Sequence, residues 1–306
     1  MTATPPTAPS PAPPSPVPPT ATPVSVVLLV GLDENGAEAA ALRAWAEAKS
    51  WELVMVPGEA NDGDPMPAGT EAWVSVGDVP AWHPGPGMNP SLPGIVIDPV
   101  EVEAAGTVST VGGPGTRYDQ AGFLAGVIAG LASRSQVVSL VDETGSPQDA
   151  VLAQSFLQGL RYSCPRCRLI RQAAAEAGPQ PLVVGAADVA FVVPGSEADE
   201  VWQSLASADV WAVWVGEAPG VVGAELWAGG VAYAPEAMVP VALEALLRGE
   251  PARAWSYAIE QDGLRLAGLN PGALSPGRLR LLERAWEALR EGSLDIGVDP
   301  ASGGLR

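Results

Sequence analysis

Residues 118–133 read YDQAGFLAGVIAGLAS, and this stretch decides the fold of the chain. Its large apolar residues recur with helical spacing and predict one buried face, formed by Phe123, Leu124, Val127, Ile128 and Leu131. Glycines fall every four residues on another face, at Gly122, Gly126 and Gly130. Each glycine costs about 1 kcal/mol relative to alanine inside a helix. We therefore expect another backbone to pack closely against the glycine face.

Small residues four apart also occur at the interfaces of membrane helices, which gives a competing interpretation. The apolar core of the stretch, residues 121–132, is shorter than the roughly 20 residues that a membrane span needs. A strand-like run at residues 136–141 follows directly. The stretch is therefore predicted to be a helix followed by a strand, in the middle of an α/β chain.

Strand-like and helical segments alternate along both halves of the sequence. Apolar runs predict strands at 25–31, 51–56, 72–76, 94–97 and 108–111, and again at 136–141, 168–171, 189–193, 210–215 and 231–233. Helical patterns lie between them, and this alternation is typical of parallel sheets with right-handed crossovers. The pattern predicts two similar lobes, each a parallel sheet flanked by helices.

The boundaries of the two lobes follow from the glycine-rich junction near residues 112–116. We expect a first lobe over 24–115, completed by about 228–252, and a second lobe over 116–227, completed by about 253–306. The chain should cross between the lobes near 112–117, 220–230 and 250–258. Residues 251–269 are predicted to form a pair of edge strands, broken at Asp262-Gly263.

The first 23 residues have a different composition from the rest of the chain. Ten of them are proline, and most of the others are Thr, Ala and Ser. Such a segment has nothing to bury and is typical of a disordered tether. No charged and apolar leader precedes it, so no signal peptide is visible. The segment is either the unusual tail of a cytosolic protein or a tether that follows a removed export signal. We expect the second, an extracytoplasmic protein that is tethered to the cell membrane by this segment.

The charge balance argues against two classes of partner. The chain carries 35 acidic and 16 basic residues, and its formal net charge is −19. Nucleic-acid binding needs basic patches, and anionic membrane surfaces attract basic segments. We therefore expect neither a nucleic acid nor an anionic membrane surface as a partner.

The sequence gives little support to an enzyme. His83 is the only histidine, so a metal site built on histidines cannot be assembled, and no Gly-x-Ser-x-Gly motif supplies a nucleophile. The glycine loop at 112–117 lacks the phosphate-binding patterns, and a hinge is the better interpretation. We expect no enzymatic activity, no metal and no cofactor. Catalysis by carboxylates alone stays open, because 35 acidic residues include many pairs.

The pair Cys164-Pro-Arg-Cys167 allows three interpretations. A redox pair should stand at the start of a helix, whereas this pair follows a predicted helix. A zinc site would need a second pair, which the chain lacks. In an exported protein the pair is best interpreted as a structural disulfide, which closes a short loop and stabilises the fold only slightly.

Candidate ligand contacts follow from the position of binding sites in open α/β sheets, outside the carboxyl ends of the strands. The polar candidates follow predicted strands or lie close behind them, at Asp33, Asp78, Asp142, Ser196 and Glu217, with Asp98 a further strand-end residue. Tryptophans in predicted loops near strand ends could cover a planar or sugar ligand, and these are Trp82 and Trp227. Each candidate also has an ordinary structural interpretation, as a turn, cap or lid residue.

Several segments resemble one known family. Tyr118 to Ser133 is similar to the "E-x-G-x-FLAG-x-x-A-x-x" segment of the basic membrane protein family. Gly145-Ser-Pro147 followed by Phe156-Leu-Gln-Gly159 resembles the family's "G-x-x-x-P … F-x-x-G-F-x-x-G" helix. Asp188-Val-Ala-Phe-Val-Val-Pro-Gly195 resembles its "aDVvf-x-x-x-G" strand.

The resemblance implies both a fold and a function. The family consists of nucleoside-binding lipoproteins of ABC importers with the type I periplasmic binding-protein fold. It implies a solute-binding protein that captures a small polar ligand, possibly a nucleoside, and delivers it to an ABC permease in the membrane. Asp33 is the residue that corresponds to the family's first loop. The alternatives are a ligand-sensing or degenerate binding domain without an importer, and a carboxylate-dependent enzyme.

Overall fold

The structure is a computed structural model that describes residues 25–56, 69–77, 92–99, 102–142, 146–173, 186–194, 199–216, 218 and 224–306. Within these residues the chain forms two six-stranded sheets with helices packed against them. This arrangement confirms the predicted fold class, a two-lobed α/β protein whose sheets are mostly parallel.

The first sheet has the strand order β11-β5-β4-β3-β1-β2, and all of its pairings are parallel. Its central strands are buried because helices α1 and α5 cover one face. The elements of this lobe are β1 (Val26–Val30), α1 (Ala37–Lys49), β2 (Glu52–Val56), β3 (Thr70–Val76), β4 (Gly94–Ile97), β5 (Val108–Val111), α5 (Pro235–Leu247) and β11 (Ala254–Trp255).

The second sheet has the order β12-β10-β9-β8-β6-β7, and only the β10–β12 pairing is antiparallel. Helices α2, α3 and α6 lie together on one side of it. The elements of this lobe are α2 (Tyr118–Ala132), β6 (Val137–Asp142), α3 (Pro147–Ser163), β7 (Arg168–Ala173), β8 (Val189–Val192), α4 (Asp199–Ser207), β9 (Trp211–Val215), β10 (Trp227–Tyr233), β12 (Leu264–Ala267) and α6 (Pro276–Arg290).

The chain crosses between the sheets after β5, after β10 and after β11. The second crossing differs from the prediction, which placed it at 220–230 and assigned residues from about 228 to the first lobe. Strand β10 pairs with β9 in the second sheet, so the chain returns to the first lobe only at Pro235. The prediction missed the start of β10 because Gly229 and Gly230 interrupt its apolar pattern.

The predicted pair of edge strands at 251–269 is also corrected. Strands β11 and β12 are both edge strands, but they belong to different sheets. The third crossing runs between them, through the short 3-10 turn at Ile259–Gln261. Two short apolar segments beside a turn look like a hairpin in sequence, although each one here pairs with a distant strand.

Helix α2 is buried along nearly its whole length, from Asp119 to Ala132, and not on a single face. Its glycine face packs against the backbone of α3, as predicted. A Cβ atom at Gly126 would lie 2.0 Å from the carbonyl oxygen of Phe156, and one at Gly122 would lie 2.6 Å from that of Leu152. In return, Gly159 of α3 lies against the backbone of Phe123. The two helices therefore approach closely only because these positions carry no side chain.

The carboxylate of Asp188 connects the end of α2 to the start of β8. It accepts hydrogen bonds from the Ser133 and Ser135 hydroxyls, each at 2.7 Å, and from the Arg134 and Ser135 amides at 2.6 and 2.8 Å. Burial alone would raise the pKa of Asp188, but these four hydrogen bonds outweigh it and lower the pKa.

Cys164 and Cys167 are joined by a disulfide bond just beyond the end of α3. The bond spans a separation of three residues, so it restricts only a short loop of the unfolded chain. Among the helices that the structure describes, none combines the length and apolar character that a membrane crossing requires.

The first prediction concerns the glycine face of α2. We expect Gly126→Ala to destabilise the protein by about 2 kcal/mol or more, because the added methyl group would overlap the Phe156 carbonyl. Gly277→Ala is the matched control, since Gly277 is exposed in α6 and a Cβ atom there would lie 3.8 Å from the flexible side-chain tip of Arg280. There alanine should be neutral or stabilise by up to about 1 kcal/mol. Chemical denaturation measures both effects, and equal effects would contradict the close helix approach.

The second prediction concerns the pH dependence that Asp188 contributes. Because the folded-state pKa is lowered, its stabilisation is present above the unfolded value and is lost as pH falls through the folded value. We expect Asp188→Asn to cost about 1–3 kcal/mol at neutral pH. The difference from the wild type should shrink in acid. Asp209→Asn is the control, because Asp209 is exposed. A cost for Asp188→Asn that stays constant down to pH ~2 would contradict the assignment.

Candidate functional site

A cavity of about 600 Å³ lies between the two lobes and is lined by residues of both. It opens at the carboxyl ends of β1, β3 and β4 on one side and of β9 and β10 on the other. This is where open α/β sheets bind ligands, because strands and following helices present loops and backbone amides there. The volume is in the range of small-molecule sites, about 300–1,000 Å³.

The wall from the first lobe is acidic. Asp33 stands in the loop after β1, Glu38 in the first turn of α1, and Asp98 directly after β4. The Asp33 carboxylate accepts a hydrogen bond from the Asn35 amide at 3.0 Å, which fixes the loop that leads into α1. A negative side chain is favourable near a helix N-terminus, and this accounts for an acidic residue at Glu38. The wall also carries the half-exposed side chain of Val76.

The wall from the second lobe is aromatic and carries one ion pair. Trp214 at the end of β9 and Tyr233 at the end of β10 both line the cavity. Trp214 is 5 % exposed, and among the described residues its indole N–H has no hydrogen-bond partner. Arg265 of β12 lies 3.3 Å from the carboxylate of Glu236, in the first turn of α5.

A stack of tyrosines lies beside the cavity, next to the chain crossings. The rings of Tyr233 and Tyr257 are stacked with centroids 4.9 Å apart and an interplanar angle of 10°. Tyr257 is buried beside Asp98, and burial together with the negative charge of Asp98 raises the pKa of Tyr257 above its ordinary value. Burial likewise raises the pKa of Tyr233 and of Tyr118.

The first and third crossings are fastened to each other beside this stack. The Arg117 amide donates to the Tyr257 carbonyl at 2.9 Å, and the Gln120 side chain accepts from the Ile259 amide at 3.0 Å. The Arg117 guanidinium forms a double hydrogen bond with Asp119, each at 2.8 Å. The backbone at Gly112 has φ +84, and a side chain there would overlap Asp98 and Tyr257. These contacts position the floor of the cleft.

The described candidate residues do not all line the cavity. Asp33 lines the cavity, and so does the strand-end residue Asp98. Asp142 does not line it; this buried carboxylate forms an ion pair with Arg171 of the adjacent strand. The candidates outside the described residues are Asp78, Trp82, Ser196 and Glu217.

Trp227 corrects the expectation of an exposed ring in a loop. It is the first residue of β10, is 6 % exposed, and packs edge-on against Trp202 and Trp214 in the core of the second lobe. It therefore lies at the opposite end of its strand from the cleft. Tyr233, at the carboxyl end of the same strand, is the aromatic residue that reaches the cavity.

Four residues that line the cavity were not among the candidates selected from the sequence: Glu38, Tyr233, Glu236 and Arg265. Each gives a weaker sequence signal than the selected candidates. Two of them stand in first helical turns, where acidic residues are common for structural reasons. Within the described residues no group of three or more His, Cys, Asp or Glu side chains is arranged to hold a metal ion.

No protein-family model matches the chain, and a search of the curated proteins found no match either. Solved structures do match it. An ABC transporter solute-binding protein from Conexibacter woesei is 15 % identical with a TM-score of 0.62, and the match covers 89 % of this chain and 98 % of that one. Another, from Aeropyrum pernix, is 13 % identical with a TM-score of 0.57, and the match covers 89 % and 93 %.

A transcriptional activator of the comK gene from Bacillus halodurans matches equally well in shape. It is 13 % identical with a TM-score of 0.62, and the match covers 88 % of this chain and 99 % of that one. At these identities the matches show the fold alone. The chain has the two-lobed fold of type I periplasmic binding proteins, whereas membership of the basic membrane protein family is not confirmed.

The third prediction concerns the tyrosine stack. Unfolded tyrosines ionise near pH 10, whereas burial raises the pKa of three of the four tyrosines in the native chain, Tyr118, Tyr233 and Tyr257. Their contribution to stability is therefore complete below pH ~10 and is lost as pH rises above it. Ultraviolet titration should show fewer phenolates in native than in denatured protein at pH ~10, and all four after denaturation at pH ~12.

Asp98→Asn gives the matched comparison for this titration. Asparagine tolerates the left-handed backbone of Asp98, at φ 48, and removes the negative charge beside Tyr257. The variant should lower the pKa of Tyr257 towards its ordinary value. Ionisation of all four tyrosines together near pH 10 in the native wild type would contradict the stack.

Proposed function

We propose that the chain is an extracytoplasmic solute-binding protein that closes its two lobes over a small polar ligand and delivers it to an ABC permease. The observation that carries the proposal is the cavity of about 600 Å³, to which both lobes contribute polar and aromatic side chains. Two structures with the same fold are named ABC transporter solute-binding proteins. In this proposal the protein binds its ligand without chemical conversion.

The location outside the cytoplasm is part of the proposal. The proline-rich first 23 residues have the composition of a tether, and the disulfide of Cys164 and Cys167 suits an oxidising compartment. Nucleosides are the first neutral ligand class to test, because several segments resemble the nucleoside-binding family. Asp33 and Asp98 supply acceptors for ligand hydroxyl or amino groups.

A ligand-sensing protein without an importer is the second candidate. It is favoured by the equal structural match to a transcriptional activator. The fold itself serves both roles, so the partner decides between them. Binding of the ligand-loaded protein to a permease reconstituted in membranes supports delivery, and binding to other proteins only would support sensing.

The fourth prediction tests the cleft by thermal unfolding with a panel of nucleosides, sugars, amines and nucleotides. A ligand at 100 times its dissociation constant adds about 2.7 kcal/mol of stability, which corresponds to several degrees in Tm for a chain of this size. Ala218→Trp should abolish the shift, because Ala218 is exposed on the cavity wall and a large ring there would fill the space.

Ala301→Trp is the control for this variant, since Ala301 is also exposed but lies in the C-terminal turn, outside the cavity. It should leave every ligand-induced shift unchanged. A ligand whose shift survives Ala218→Trp binds elsewhere, and that result would refute the cleft as the binding site.

A further inference from the structure

The charges of the cavity wall are unbalanced. Among the described residues that line it, four carry carboxylates, namely Asp33, Glu38, Asp98 and Glu236, and one carries a guanidinium, Arg265. The guanidinium already lies 3.3 Å from a Glu236 oxygen. No ion pair joins Asp33 or Glu38 to a described basic side chain of the cavity, and the wall therefore carries negative charge at these two residues.

The two carboxylates that matter most are those of Asp33 and Glu38. They stand on consecutive elements, the loop after β1 and the first turn of α1, and both line the same space. The α1 N-terminus accounts for an acidic residue at Glu38, but it does not require a second carboxylate on the preceding loop. The negative charge of this wall would be reduced by a ligand that brings a positive charge.

The opposite wall supplies a different and independent feature. Trp214 and Tyr233 are both aromatic lining residues, and Tyr257 stacks on one side of Tyr233, so the Tyr233 ring is held in place. Tryptophan and tyrosine rings attract organic cations within about 6 Å of their centroids. Carboxylates and aromatic rings that line one cavity are the combination that recognises an ammonium or guanidinium group.

We propose that the ligand of this cleft is a small organic cation that carries an ammonium group. This inference rests on the proposed function and names its ligand class. The positive group lies against Asp33 and Glu38, and the apolar part of the ligand covers Trp214 and Tyr233. Neutral nucleosides and anionic nucleotides of similar size bind more weakly, because neither offsets the acidic wall.

The test compares pairs of probes that differ in charge and little in shape. Choline is measured against its neutral carbon isostere 3,3-dimethyl-1-butanol, and 1,4-diaminobutane against 1,4-butanediol, with inosine and adenosine monophosphate added. Isothermal titration calorimetry should give at least tenfold tighter binding for a cation than for its neutral partner. The preference should fall as salt is raised, because exposed charges are screened.

Two variants assign the effect to the wall. Asp33→Asn keeps the acceptor for the Asn35 amide, and Glu38→Gln keeps the side-chain length. Each should weaken binding of the cation about tenfold, because each removes one negative charge close to the bound ammonium group. Binding of a neutral ligand should stay within about twofold of the wild type. Glu47→Gln is the matched control, because Glu47 is exposed near the other end of α1, outside the cavity.

The outcomes separate the inference from the proposed function. Tight binding of inosine or another neutral probe, unchanged in Asp33→Asn and Glu38→Gln, would overturn the cation assignment and keep the binding protein. Binding of cations at the same strength in Ala218→Trp would overturn both the site and the assignment. If no probe of any charge binds, the assignment is rejected together with the proposed function.

Discussion

The close approach of helices α2 and α3 is the constraint on which the second lobe depends. Helix α2 is buried from Asp119 to Ala132, so the neighbouring elements must enclose it almost completely. Two of its glycines, together with Gly159 of α3, remove the side chains that would hold the backbones apart. The enclosure also positions the first crossing, because α2 begins directly after it and Arg117 is hydrogen-bonded to Tyr257 of the third crossing.

The same connectivity builds the cleft. Strand β10 belongs to the second sheet and helix α5 packs on the first, yet only Ala234 separates them. Tyr233 and Glu236 are therefore three positions apart in sequence while their elements pack in different lobes, and both line the cavity. Because this crossing is so short, the two walls of the cavity can move little relative to each other beside it. The first crossing contains Gly112, whose left-handed backbone conformation favours glycine.

Most of the fold could be predicted from the sequence, because its strands are continuous apolar runs and its helices have clear periodicity. One of the exceptions is the start of strand β10. Strand β10 was placed four residues too late because Gly229 and Gly230 give no strand signal. The structure explains both glycines: a Cβ atom at Gly230 would lie 2.3 Å from the Trp214 ring, and Gly229 has φ +148, which residues with a side chain rarely adopt. A glycine that is required because a neighbouring group occupies the space of a Cβ atom gives no signal of its own secondary structure.

The candidate site was less predictable than the fold for a related reason. Rules about strand ends selected Asp33 and Asp98, which line the cavity, but the same rules selected Asp142, whose carboxylate forms an ion pair with Arg171 on the next strand. Loop prediction selected Trp227, which is buried among other tryptophans. Only the pairing of strands shows which polar groups already have partners and which face open space, and that pairing involves residues far apart in the chain.

The charge of the cleft is informative because the rest of the chain uses its few basic groups elsewhere. An acidic residue alone means little in a protein of net charge −19. Basic residues are scarce, and three of the described ones are engaged in ion pairs outside the cavity: Arg117 with Asp119, Arg171 with Asp142, and Lys49 with Glu244. Arg265, the described basic residue of the cavity, is engaged with Glu236. Two proteins that share a fold can therefore differ in ligand through wall charges that leave the backbone unchanged.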